Sequence, residues 1–161
     1  MRALFNKLLI LPLVVLLAAC SPAPAAPAAS GSPQGPLRIV TTVSPITNIA
    51  YNIAGDKAQI TGIVPEGVNS HTFEPAPSDA KVLAQADLIL ANGLKLEEPT
   101  LKLAEANLKQ GAEIVTLGEQ TITPDQYVYD FSFPKEAGSP NPHLWPNPAF
   151  ALRYAEIMRD T

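Results

Sequence analysis

A parallel four-stranded β-sheet with helices on both faces is the fold class this sequence predicts, and three observations predict it. Short apolar runs rich in β-branched residues recur four times between residues 37 and 117, as expected of strands buried on both sides. Between them lie segments whose apolar residues recur at helical spacing. Proline stands where helices begin and glycine where they end. The resulting β-α-β-α-β-α-β order is that of an α/β layer structure.

"LRIVTTV" (37–43) reads as the first strand. Ser44 then reads as an N-cap, with Pro45 at the first helical position. Ile46, Ile49, Ala50 and Ile53 form the inward stripe of this helix, and Gly55 stops it. "AQITGIV" (58–64) is a second strand. Pro77 opens a second helix carrying Val82, Leu83 and Ala86 on one side, and "DLILAN" (87–92) is a third strand. Glu97 to Lys109 reads as a helix with Leu101, Ala104 and Leu108 aligned, ended by Gly111. "EIVTL" (113–117) is the fourth strand. Beyond Gly118 the pattern weakens, and "TPDQYVYDFSFPKEAGSP" (123–140) reads as an irregular surface loop. Asn147 and Pro148 start a last helix with Phe150, Tyr154, Ile157 and Met158 on one face. It runs to Thr161 without a cap.

The N-terminal end has a different character. Arg2 and Lys7 precede an apolar run, Leu8 to Leu17, and small residues follow. This is the layout of a secretory signal peptide, here residues 1–19, and the run is short for a membrane span. It ends in "LAAC" (17–20), which resembles the lipobox of bacterial lipoproteins and makes Cys20 the lipidated residue. An ordinary cleavage site beside a spare thiol is the alternative. Cys20 is the one cysteine in the chain, so no disulfide partner accounts for it. Residues 20–36 continue as a Pro/Ala-rich tether, and 37–161 form one domain. Formal net charge is −4 with no basic cluster, which argues against a nucleic-acid partner.

The chain holds two histidines, and both sit in loops of matched design: "NSHTFEP" (69–75) and "NPHLWPNP" (141–148). Each reads Asn-x-His-x-aromatic with proline close behind. His71 follows the second strand and His143 follows the fourth, and ligands of parallel α/β sheets gather at the carboxyl ends of strands. Neutral imidazole is a good ligand for zinc and other first-row divalent ions. The prolines limit loop freedom before any ion arrives, where ordering a residue otherwise costs about 1–2 kcal/mol. Trp145 and Phe73 are placed to screen an ion from water. Spacing alone leaves two readings open: a metal-binding pair, or two ordinary hydrogen-bonded loop histidines.

"HTFEPAPSDAKVLAQADLILANGLKLE" (71–97) and "NPHLWPNP" (141–148) strongly resemble the cluster A-I solute-binding proteins, the metal-binding lipoproteins of manganese and zinc ABC importers. His71, Phe73, Glu74, Pro75, Pro77 and Asp79 match the first motif of that family, and Pro142, His143 and Trp145 match the second. The resemblance covers residues 37 to 161. It implies that His71 and His143 are metal ligands in the N-terminal lobe of a two-lobed, periplasmic-binding-protein-like fold. The cargo would be a divalent ion, Zn2+ or Mn2+, and the partner an ABC transporter permease. The protein would work outside the cytoplasm, lipid-anchored at the bacterial cell membrane. The family draws two further ligands from a second lobe, and this sequence stops before the linking helix. Two imidazoles alone leave an ion mostly solvated, so weak binding by this chain is expected.

Glu74 is assigned to bracing the first loop and Trp145 to supporting the second, rather than to ligation. Asp79 is expected to favour a helix N-terminus, and Asn69 and Asn141 to hydrogen-bond their own loops. Residues 118–142 contain no histidine, unlike the histidine-rich insertion common in zinc-importing relatives. A metal-dependent hydrolase would need a third ligand and a general base, and no H-E-x-x-H helix exists to supply them. A non-enzymatic metal receptor is therefore the expectation. A surface adhesion lipoprotein and a truncated gene product without function are its alternatives.

Overall fold

The computed structural model describes residues 35–161, so the predicted signal peptide, Cys20 and most of the tether lie outside the described residues. Four strands, β1 (Leu37–Thr41), β2 (Ala58–Gly62), β3 (Leu88–Ala91) and β4 (Glu113–Thr116), form one sheet in the order β2-β1-β3-β4. Every pairing is parallel, with Ile39 opposite Ile60 and Leu88, and Leu90 opposite Val115. The predicted architecture is the observed one.

Alternation along each strand sends successive side chains to opposite faces. Ile39, Ile60, Leu88, Leu90 and Val115 pack with α1 (Ser44–Ala54) and α5 (Pro148–Asp160) through Ile46, Ala50, Tyr154, Ile157 and Met158. Val40 and Ile89 point the other way, toward α2 (Pro77–Leu83) and α3 (Glu98–Asn107), meeting Leu83, Ala86 and Ala104. Each large apolar side chain buried in these layers contributes about 1.5–3 kcal/mol. Among the described residues, no helix is long and apolar enough to cross a membrane.

The helices depart from expectation in several places, and Ala86 falls past the end of α2. Ser44 lies inside α1 rather than capping it: Val43 holds the cap position, and no side chain accepts there. Ile53 is exposed, because α1 buries the narrower stripe of Ile46 and Ala50. In α3 Ala104 is buried, whereas Leu108 falls past the helix end and is exposed. The fourth strand also ends at Thr116, one residue before its predicted end, and a short helix precedes the segment read as an irregular loop. Leu117–Thr121 form a short helix, α4, and Leu117 and Ile122 join the larger core. Five residues are too few to show helical periodicity, which is why the sequence concealed it.

Other local expectations hold. Asn147 caps α5 by accepting a hydrogen bond from the Ala149 N–H at 3.0 Å. Asp79 reaches back to accept from the Ala76 N–H at 2.8 Å and braces the start of α2.

At the amino-terminal edge of the sheet, Asp87 ties β1 to β3. It accepts from the Arg38 N–H at 2.8 Å and pairs with Lys109. The Lys109 ammonium and the Arg38 N–H hold its carboxyl well below the usual carboxylate range.

Candidate metal centre

In the order β2-β1-β3-β4, connections leave β1 toward one edge and β3 toward the other, so the topological switch point lies between β1 and β3. The loops following the two outermost strands, β2 and β4, arch inward from opposite edges and meet. His71 comes from the first of these loops and His143 from the second. Their Nε2 atoms lie 3.1 Å apart across 72 positions of sequence.

Each histidine is set by the same local device. The N–H of His71 donates to Asn69 Oδ1 at 3.0 Å, and the N–H of His143 donates to Asn141 Oδ1 at 3.0 Å. Asparagine closes such turns readily, because its side chain mimics a backbone carbonyl two residues upstream. The Asn-x-His repeat in the sequence is thus one turn used twice.

The second loop carries the device further. Asn141 Nδ2 donates to Asp130 Oδ2 at 2.6 Å, and a carboxylate can only accept, so Asn141 Oδ1 faces the imidazole. It lies 2.8 Å from His143 Nδ1. That nitrogen therefore carries the proton, and His143 Nε2 presents a lone pair. Orientation of a ligating histidine through its other nitrogen is the usual support of a metal site. In this pair His71 Nε2 is then the donor toward His143 Nε2.

Aromatic rings wall the pair. The Phe133 ring centroid is 5.5 Å from each imidazole, and Trp145 meets His143 edge-on at 5.2 Å. Partial burial holds both imidazoles below their ordinary range, and for His143 the neighbouring His71 adds to this while Asp130 opposes it. At neutral pH both rings are neutral, the form that ligates.

Two nitrogens on one tetrahedral zinc, with bonds of about 2.0–2.1 Å, stand roughly 3.3 Å apart. The observed spacing is within a few tenths of an ångström of that bite. Among the described residues, no group of three or more histidine, cysteine, aspartate or glutamate side chains could hold a metal ion. Glu74 is exposed, and among the described residues no side-chain hydrogen bond joins it to either ring.

Three participants were not foreseen. Phe133 and Asp130 come from the segment read as an irregular loop, where four aromatics within residues 127–133 were the available signal. The third, Asn92, is fully buried at the end of β3 and donates from its side chain to the Pro142 carbonyl at 3.0 Å. Nothing in its local pattern marked it.

Residues 39–161 match the family described as zinc-uptake complex component A, periplasmic (ZnuA). The metal ABC transporter substrate-binding lipoprotein FimA of Streptococcus parasanguinis is 34% identical over 127 residues, covering 79% of this chain and 41% of that protein. The manganese-bound periplasmic metal binding protein of Candidatus Liberibacter asiaticus superposes with a TM-score of 0.65 at 34% identity, over 77% of this chain and 44% of that one. The periplasmic zinc binding protein TroA of Treponema pallidum gives a TM-score of 0.66 at 27% identity, over 77% and 42%. The chain spans about two fifths of the length of the curated relatives it matches. Against the two-lobed fold of these neighbours it covers one lobe. The chain belongs to the ZnuA family of periplasmic metal-uptake components.

Proposed function

We propose that this chain captures a divalent transition-metal ion, zinc or manganese, as the solute-binding component of an ABC importer. His71 and His143 are its ligands, through Nε2. Residues 1–19 act as a signal peptide, and residues 20–36 as a tether from a lipidated Cys20, which holds the lobe 37–161 outside the cytoplasm at the membrane. An ABC permease receives the ion. The observation that carries this reading is the 3.1 Å approach of two neutral imidazoles from separate loops, with the His143 Nε2 lone pair already oriented. The matched relatives are substrate-binding transport proteins, which supports capture without catalysis. Glu74 stiffens the first loop beside its prolines, and Trp145 shields the second ligand.

Two nitrogens satisfy half of a usual zinc shell, so this chain alone binds weakly. Zinc titration calorimetry on the full chain, beside His71→Ala and His143→Ala, tests the reading. Weak binding that both substitutions abolish is expected. Binding that survives both, or a nanomolar constant for this chain, would overturn the two-ligand account.

A further inference from the structure

We infer that Asn92 is a positioning residue for His143, acting through the peptide plane that joins Pro142 to His143; this rests on the metal-capture reading above. Asn92 directly follows β3 at the switch point, with no exposure to solvent. Its backbone N–H donates to Glu97 Oε1 at 2.7 Å, and Thr42 Oγ1 donates to the same oxygen at 2.5 Å. Its side-chain amide donates to two carbonyls, Pro142 at 3.0 Å and Gly93 at 3.1 Å. Its Oδ1 accepts from the Tyr154 hydroxyl at 2.8 Å. Carbonyls can only accept, so the amide cannot be reversed, and both of its donors are used.

The consequence falls on one rigid unit. The Pro142–His143 peptide is planar, so holding its two ends sets the direction in which His143 leaves the chain. Asn92 holds the carbonyl end from inside the sheet, and Asn141 Oδ1 holds the N–H end at 3.0 Å. The Leu144 N–H also donates to the Pro142 carbonyl, at 3.0 Å. For His71 the corresponding contacts are local: its N–H goes to Asn69 Oδ1, and the Thr72 N–H to the Asn69 carbonyl. His143 is therefore the ligand locked to the scaffold, and His71 the one that adjusts to the ion. The lock uses one residue from each of three distant segments: the turn just past β3, the second histidine loop, and α5 through Tyr154.

The test measures zinc affinity of the full chain for Asn92→Ala and Tyr154→Phe. Affinity should fall about 10–100-fold for Asn92→Ala, the range seen when outer partners of metal ligands are removed. It should fall less for Tyr154→Phe, which loosens the amide without removing it. Full affinity in a folded Asn92→Ala protein would overturn the inference. If Asn92→Ala does not fold, Tyr154→Phe decides by the same criteria. The metal-free protein supplies an independent readout, the slowly exchanging Nδ1–H proton of His143 observed by NMR. This signal should broaden in both variants; an unchanged signal overturns the inference. If the unsubstituted chain takes up no zinc, the capture reading fails, and the NMR signal alone decides the positioning role.

Discussion

Asn141 Oδ1 stands 2.8 Å from His143 Nδ1 while Asn141 Nδ2 stands 2.6 Å from Asp130 Oδ2, so a surface carboxylate dictates which imidazole nitrogen of His143 carries the proton. The relay runs through an amide that has no freedom to flip. Asn141→Ala should weaken zinc binding by about 10–100-fold without unfolding the protein. Asn141→Asp combined with Asp130→Asn keeps an acceptor beside Nδ1 and should retain most of the affinity. Competition against a chromophoric chelator would measure both, and a double variant as weak as Asn141→Ala would refute the relay.

Glu97 gives the fold a dependence on pH. It is buried, with Oε1 accepting from Thr42 and from the Asn92 N–H and with Oε2 lacking a partner. Burial, partly offset by these hydrogen bonds, pushes its carboxyl up from the ordinary range. The folded state thus holds the proton more tightly than the unfolded chain. The Glu97 contribution to stability is fully present below the unfolded value and is lost as pH rises through the folded one. Glu97→Gln should flatten this part of the stability curve, on the alkaline side of the ordinary carboxylate range, measured by urea unfolding. A variant with the same slope as the parent would contradict it.

Asp87 works in the opposite direction. Its folded-state carboxyl lies well below the usual range because of Lys109 and the Arg38 N–H. Its contribution is present above the unfolded value and disappears as pH falls through the folded one. Asp87→Asn should lower stability at neutral pH and make acid unfolding more gradual, as circular dichroism across an acid titration would record. Equal losses at neutral and strongly acidic pH would argue against a charge effect.

Gly118 is a packing constraint beneath the site. Its N–H donates to the Asn92 carbonyl at 2.8 Å, and a Cβ there would stand 2.7 Å from Leu94 Cγ and 2.8 Å from that same carbonyl oxygen. Gly118→Ala should destabilise the fold by about 1–3 kcal/mol through overpacking. Because the displaced atoms adjoin Asn92, the same variant should also lose zinc affinity. An unaltered urea midpoint would show that the backbone yields without strain.

The four strands, the parallel arrangement, the proline-opened helices and both Asn-x-His turns were legible in the chain, because each depends on neighbours a few residues apart. Period-two burial marks a strand and period-3.6 burial a helix whatever the rest of the molecule does. An asparagine two residues before a histidine closes its own turn. What escaped was either too short to have a period, as in α4, or decided by partners far along the chain.

Sequence by itself determined the layer architecture, the family, and the two imidazoles worth watching. The sequence placed both at the carboxyl edge of the sheet, and tertiary structure alone decided how closely they meet. The strand order carries their loops in from opposite edges, and the Asn92 side chain reaches 50 positions along the chain to hold the peptide beneath one of them. Hydrogen bonds and ring contacts at such separations depend on the folded path of the backbone, which no local pattern encodes.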